Sequence, residues 1–217
     1  MDSFILLEAS LELVPDEIAG HPAVQADAFR RRKKVWEIIL EDSKHHSAIR
    51  KLEFREKRGR PDIVHQCLLL LLDSPLKTFD VYVHTIQDVM IRIDRETRLP
   101  RNYNRFLGLM EDLFKKKRIE VDGKTLLEIV DKDLSEIIGE RNVILLSEKG
   151  KVFESKMLEN DVAICIGAFP HGEFFEKTLK KLGNYIEVSV GKGSYTSLYV
   201  TSRILCEYER VRTVENR

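Results

Sequence analysis

The chain has 217 residues, 43% of them apolar, and its 36 Lys+Arg are matched by 36 Asp+Glu. That length and apolar share suit one sizeable domain with a real core, and with no net charge only local patches can point to nucleic acid. Three scattered cysteines without CxxC spacing (Cys67, Cys165, Cys206) exclude a disulfide scaffold and, with no signal-peptide pattern at the start, read as reduced thiols of a cytoplasmic protein.

Taken in order, "SFILLEASLELV" (3–14) opens with strand-like apolar residues, and residues 22–52 carry helical periodicity. The basic run Arg30 to Lys34 inside that segment reads most simply as a solvated helix face, with RNA contact as the sharper option. In "EKRGRPDIVHQCLLLLLDSPL", Pro61 fits the first position of a helix and Asp62 complements the positive end of its dipole. The run "CLLLLL" (67–72) is far too short to cross a bilayer, which needs about 20 apolar residues. Residues 79–94 alternate well enough for a hairpin turning at Gln87-Asp88. An Arg-rich stretch, "RETRLPRNYNRFLGLM" (95–110), leads into a helix ending in "KKKR" (115–118), and "KTLLEIVDKDLSEII" (124–138) reads as a further helix.

After Gly139 the texture changes. Seven of the eleven glycines (139, 150, 167, 172, 183, 191 and 193) fall near the ends of the apolar runs "NVILLS", "VAICIGAF" and "YIEVSV". The helical pattern "EFFEKTLKKL" separates the last two runs, and "TSLYVTSRILCEYERV" is a terminal helix. Nearly continuous apolar strands alternating with helices predict a parallel α/β sheet covered on both faces. Glycine-bearing loops at such strand ends either bind ligand or are ordinary tight turns.

Several signatures are absent. "GKGS" (191–194) lacks the earlier glycine of a phosphate loop, since Ile186 stands there, and "GAFPHG" (167–172) is not GxGxxG. His45, His46, His65, His84 and His171 show no metal-ligand spacing, so no metal is expected. No GxSxG elbow supports a Ser/His/Asp triad.

The Arg-rich stretch carries more. Pro100 disfavours helix at Leu99, so Arg98 belongs to an extended or turn segment. Phe106, Leu109, Met110, Leu113 and Phe114 repeat at helical spacing as a core stripe. If the first turn includes Arg101, it lies one turn from Arg105, both facing away from that stripe, with Gly108 continuing the outer side. Arginines at a helix start oppose the dipole, which favours anions there. Phosphate would relieve that mismatch, and salt bridges to Glu96, Glu111 or Asp112 would do so too. Arg58, Arg60 and Asp62 form a second constellation, read either as a surface ion pair or as a clamp in which Asp62 fixes the Arg60 guanidinium.

"RPDIVHQCLLLLLDSPL", "TRLPRNYNRFLGLM", "GAFPHG" and "TSLYVTSRILCEYE" together resemble the ribosome-biogenesis pseudouridine methyltransferases of the SPOUT class, also called the essential-for-mitotic-growth proteins. The resemblance runs from "LEASLELVP" almost to the end. It implies a single domain over 1–217: a SPOUT-type parallel sheet flanked by helices, with a C-terminal trefoil knot and family-specific insertions. Residues 139–217 would be the knotted cofactor-binding part and 53–118 would hold the RNA-contacting segments. It implies methylation of ring nitrogen 1 of a pseudouridine in small-subunit ribosomal RNA, with S-adenosyl-L-methionine as cofactor. It also implies help with subunit biogenesis, a homodimer, and ribosomal assembly proteins as further candidate partners.

Carried over by motif, the cofactor loops would be Leu146 and Ser147, then Gly167 to Gly172, then Val188, Ser189, Val190, Gly191, Lys192 and Gly193. "LLSEKG" is the least matching of them. Arg60, Arg98, Arg101 and Arg105 would contact RNA. Asp62 and Arg60 would serve catalysis, Asp62 as an orienter and Arg60 as the stabiliser of developing negative charge on the base. Competing readings are a non-catalytic rRNA-binding assembly factor with this fold, a knotted methyltransferase for another base, and a purely structural α/β protein.

Overall fold

The first apolar run becomes the strand around which the sheet is assembled. In the computed structural model, which describes residues 1–158 and 161–215, β1 (Asp2–Ala9) is buried along its whole length. It lies between β2 (Phe79–Thr85) and β7 (Val162–Gly167), parallel to both. β6 (Asn142–Val152) runs parallel to β7, and β8 (Tyr185–Ser189) runs parallel to β6 at the sheet edge. The unbroken apolar character of "FILL" and "VAICI" suits strands covered on both faces.

The parallel sheet expected from the sequence is one part of a larger mixed sheet. Beyond β2 the hairpin partner β3 (Met90–Ile93) pairs antiparallel, followed by β5 (Lys124–Val130) and β4 (Arg118–Val121), also antiparallel. The full order is β4-β5-β3-β2-β1-β7-β6-β8. Among the described residues no helix is long and apolar enough to cross a membrane.

Helices cover both faces. On one, α3 (Pro61–Asp73), α4 (Tyr103–Lys116) and α7 (Ser197–Glu215) place Leu68, Phe106, Met110 and Leu205 in a core with Phe4, Leu6 and Ile164. On the other, α5 (Leu134–Ile138) and α6 (Glu176–Leu182) bring Ile137 and Leu182 against Ile5, Leu7 and Cys165. As the sequence predicts, Pro61 opens α3 with Asp62 in its first turn.

Two expected helices differ. The periodic segment 22–52 is two short helices, α1 (Pro22–Arg31) and α2 (Asp42–Ile49), because Arg32 turns left-handed at φ 53° and ends α1. These helices close over their own small core of Val24, Ala28, Ile38, Leu40 and Ala48. Segment 124–138 is β5 followed by the short α5. "KTLLEIV" satisfies strand alternation as well as helical spacing, and the left-handed Asp122-Gly123 turn, with φ of 52° and 78°, folds it back onto β4 and the open edge of β3. Tertiary pairing outweighs local propensity here. Asp133 and Glu136 then form a capping box that starts α5.

One carboxylate fastens the α1–α2 unit to the sheet. Glu111 on α4 is buried, and its Oε2 accepts from Arg31 and from Lys33, both at 2.6 Å, while Oε1 accepts from the Ile39 backbone at 3.0 Å. Glu111→Ala is expected to remove about 2–3 kcal/mol of unfolding free energy, since hydrogen bonds to charged groups and an orphaned amide are lost together. Urea denaturation of the variant beside wild type checks this, and a change within 0.5 kcal/mol would show that the unit is held by its apolar core alone.

Candidate functional site

The parallel strands β6, β7 and β8 end at the same edge of the sheet, where open α/β sheets bind ligands. The loops leaving them enclose a cleft of about 340 Å³. Its first wall comes from an irregularity in β6. Leu146 and Lys151 both oppose Val188, so residues 147–150 bow out of the ladder. Gly150 permits this: a Cβ there would sit 2.3 Å from the Val188 nitrogen, an overlap with backbone that no side chain could relieve.

Leu146, Ser147, Gly167, Gly172, Val188, Ser189, Val190 and Gly193, all expected from the sequence, line this cleft. Gly191 and Lys192, expected with them, are not among its lining residues. Gly191 backs onto Tyr195, whose hydroxyl lies 2.5 Å from where a Cβ would stand, and Lys192 is exposed. The loops are tied to the scaffold by short bonds. Ser197 at the start of α7 donates to the Gly167 carbonyl at 2.6 Å, and Ser189 donates to the Gly191 carbonyl.

Phe169 lies within the expected Gly167 to Gly172 loop, but sequence reasoning missed the other aromatic lining, Phe174 and Tyr195, although "AFPHGEFF" places Phe174 beside the glycines. It also missed the ion pair underneath. Lys57 and Glu8 are 1% and 0% exposed and bonded to each other. Lys57 also donates to the Glu173 carbonyl at 2.6 Å and stands over the rings of Phe169 and Phe175 at 3.8 and 4.0 Å. Glu8 accepts from the Phe175 amide at 2.7 Å. Burial pushes the Lys57 pKa down, opposed by its bond to Glu8. The loop from Phe169 to Phe175 is therefore moulded around a buried ammonium.

The same segment continues to the predicted clamp. Arg58 is buried in a two-pronged pair with Glu12 at 2.8 and 2.7 Å, which makes it structural. Arg60 and Asp62 meet in the same geometry, with Nε–Oδ1 and Nη2–Oδ2 both 2.8 Å, but they remain part exposed. The Asp62 carboxylate raises the Arg60 pKa. Arg60 is placed beside the cleft through Ser10: its amide donates to the Ser10 hydroxyl at 2.7 Å, and the Ser10 amide donates to the Ala168 carbonyl at 2.9 Å. Tyr103, whose phenol pKa is raised by burial and by Glu41 and Asp62, faces the pair.

The Arg-rich stretch divides. Arg95 is buried, donates to the Leu71 and Leu76 carbonyls at 2.5 and 2.8 Å, and stacks on Phe79, so it closes the end of α3 rather than facing a partner. Asn102, not Arg101, begins α4: its side chain caps the Arg105 amide at 3.1 Å and Arg101 precedes the helix. Arg101 reaches Asp73 at 3.0 Å rather than the acidic residues considered from sequence, while Arg98 and Arg105 are exposed with no side-chain partner among the described residues. Arg98 and Arg101 line a second cleft, of about 660 Å³, with Lys77, whose pKa is lowered by burial and by Arg95. His65 fixes the turn that presents them, its Nε2 donating to the Pro100 carbonyl at 2.7 Å and its ring stacking on Phe106. Among the described residues no group of His, Cys, Asp and Glu is arranged to hold a metal.

The family profile described as EMG1/NEP1 methyltransferase matches residues 4–209. A curated relative from Archaeoglobus fulgidus, named ribosomal RNA small subunit methyltransferase Nep1, is 65% identical over 97% of this chain and 96% of its own. The protein of that name from Saccharolobus solfataricus is 46% identical over 82% and 83%. A crystal structure of the A. fulgidus Nep1 bound to S-adenosylhomocysteine superimposes with a TM-score of 0.96 and 64% identity, covering 98% of this chain and 99% of that one.

The buried pair and the exposed clamp differ in what they contribute to stability. Lys57→Met leaves Glu8 uncompensated and is expected to cost about 3–5 kcal/mol. Arg60→Ala, at a part-exposed pair, is expected to cost at most about 1 kcal/mol. Denaturant unfolding of both variants tests this contrast. Equal losses would mean that Lys57 does not organise the loop as described.

Proposed function

The chain belongs to the EMG1/NEP1 methyltransferase family, and from that membership we propose that it methylates ring nitrogen 1 of a pseudouridine in small-subunit ribosomal RNA, using S-adenosyl-L-methionine, and assists small-subunit biogenesis. One observation carries this reading. The Arg60–Asp62 clamp is two hydrogen bonds, through Ser10, from the loop that walls the strand-end cleft. A base bound at the clamp would therefore lie beside a ligand in the cleft.

The cleft fits the cofactor in chemistry. It combines backbone groups left open by glycines, serine hydroxyls and the rings of Phe169 and Phe174, at a size ordinary for small-molecule sites. The solved A. fulgidus relative carries S-adenosylhomocysteine, the cofactor after loss of its methyl. Leu146, Ser147, Gly167, Gly172, Val188, Ser189, Val190 and Gly193 would hold it, with Gly191 and Lys192 shaping the last loop from behind. When bound, the cofactor supplies an electrophilic methyl on a sulfonium; the rest falls to side chains of this chain.

Alignment is the larger of those tasks, since a well-oriented pair can save about 7–11 kcal/mol of barrier. Both Asp62 oxygens are engaged by Arg60, so Asp62 orients rather than accepts the proton. Arg60, kept charged, faces the imide as it becomes anionic. Arg98, Arg101 and Arg105 hold phosphates of the looped RNA, whose target base must be splayed out to reach the clamp.

The remaining features belong to the same proposal. Residues 139–217 form the knotted cofactor-binding part and 53–118 the RNA-contacting segments of one domain. The knot is carried over from the family resemblance, and it would be a rare departure from unthreaded topology. A homodimer is supported by Tyr195, Leu198 and Tyr199, and by Ile186 on edge strand β8, which are apolar and exposed beside the cleft. The free thiols, with Cys67 and Cys165 buried, suit the cytoplasm.

Purified protein is mixed with labelled S-adenosylmethionine and two small-subunit rRNA loop oligonucleotides, identical except for pseudouridine or uridine at the target. Label is expected in the pseudouridine RNA alone. Label in both would move the activity to another base, and RNA binding without transfer would favour a non-catalytic assembly factor. Asp62→Asn is expected to lower turnover about 100-fold through misplacement of Arg60, with cofactor affinity unchanged by isothermal titration. A matching loss of cofactor binding would place Asp62 in the cleft's framework instead.

A further inference from the structure

We propose that residues 29–36, together with Lys115 on α4, form a second RNA-contacting surface that stacks a base of the single-stranded RNA flanking the target loop. This rests on the RNA substrate proposed above, but it concerns residues outside the clamp and the arginine stretch.

The segment alternates in direction. Arg31 and Lys33 point inward to the buried Glu111 carboxylate, and their charges are spent there. The residues between and around them point outward. Arg32 is exposed with no side-chain partner among the described residues, Lys34 is exposed, and Arg30 keeps a largely exposed guanidinium while paired to Asp27. Two large rings stand among these cations without cover: Phe29 is 86% exposed and Trp36 is 61% exposed. Lys34 lies over the Trp36 ring at 5.5 Å. Lys115 joins them by its 3.0 Å pair with Glu37, the residue after Trp36.

Exposed rings interleaved with cations are the elements of single-strand nucleic-acid binding, in which bases stack on the rings and cations follow the phosphates. A solvated helix face needs the charges but has no use for two uncovered aromatic rings. The placement fits the same RNA. Glu111 lies six residues along α4 from Arg105, about 9 Å of axial rise. The bonds from Arg31 and Lys33 to Glu111 fasten the patch to α4, and the outward Lys115 of that patch lies ten residues from Arg105, about 15 Å of axial rise, a span of a few nucleotides. The chain has no net charge, so attraction here arises from this local excess of cations.

Trp36 is the chain's one tryptophan, which makes its fluorescence a direct report from the patch. The target-loop oligonucleotide would be titrated into the full chain alone, and again with single-stranded flanks of about ten nucleotides. Fluorescence anisotropy of labelled RNA would follow binding independently. The flanked RNA is expected to quench Trp36 while the short loop leaves it unchanged, and to bind about tenfold more tightly. Trp36→Ala should abolish that advantage and Trp36→Phe should keep most of it. Arg32→Ala with Lys34→Ala should flatten the salt dependence by about 0.7 per lost phosphate contact. As control, Arg101→Ala should weaken both RNAs equally. Tight binding of the flanked RNA with Trp36 fluorescence unchanged, or an advantage that survives Trp36→Ala, overturns the inference and leaves the proposed function intact. Failure of the wild-type chain to bind either RNA overturns both.

Discussion

The buried Glu8–Lys57 pair is the interaction on which the arrangement of the site depends. Two charges withdrawn from water are tolerable only when the surroundings supply hydrogen bonds and compensating fields. Here the compensation is the site itself. The Glu173 carbonyl and the Phe175 amide each bond one partner, and the rings of Phe169 and Phe175 turn their faces to the ammonium. Glu8 is held in turn by a left-handed backbone at φ 47° and by its amide, which donates to His84. Satisfying these groups forces the 169–175 loop into one shape. It also brings the 57–62 segment to the end of β1, where Glu12 takes Arg58 and Ser10 takes the Arg60 amide. The cleft wall and the clamp are thus two consequences of one buried pair.

A second constraint comes from the sheet. Parallel pairing of β6, β7 and β8 brings three loops to one edge, but pairing alone would not open a cavity there. The four-residue excursion of β6 does that, and it depends on close approach of the Gly150 backbone to Val188. The cleft is therefore specified as much by a missing side chain as by those present, which is why glycines crowd these strand ends.

These causes explain what could be read from the sequence. The strands of the parallel region declare themselves through continuous apolar runs, and α3 through Pro61 and Asp62. The glycines mark the strand ends where the cleft lies, while its individual lining residues follow from the family resemblance. Glu8 and Lys57 are not legible, because each looks ordinary where it stands: one is an acid at the end of an apolar strand, the other a lysine within "REKRGR". Only the fold joins positions 49 residues apart. Arg95 misleads for the same reason, since an arginine bound for the carbonyls at the end of α3 looks like its exposed neighbours. Segment 124–138 misleads differently: its apolar spacing suits helix and strand alike, and the open edge of β3 decides between them.

The division of the basic residues shows why net charge says so little here. Lys57 and Arg58 each pair with a buried carboxylate of their own, and Arg31 and Lys33 share Glu111, so these scaffold cations are largely offset by anions, whereas Arg95 is held by carbonyls and a ring alone. Such pairs cancel in the total and have almost no field at the surface. Cations with no side-chain partner among the described residues, such as Arg32, Arg98 and Arg105, contribute little to the sum but stand in solvent. There a charge acts over about 8 Å before salt screens it. Attraction for a polyanion is then a matter of where the unpaired cations stand, and α4 carries Arg105 near one end and the Glu111 anchor of the 29–36 patch further along. For the RNA binding proposed above, a neutral chain can in this way offer unpaired cations at chosen places on its surface.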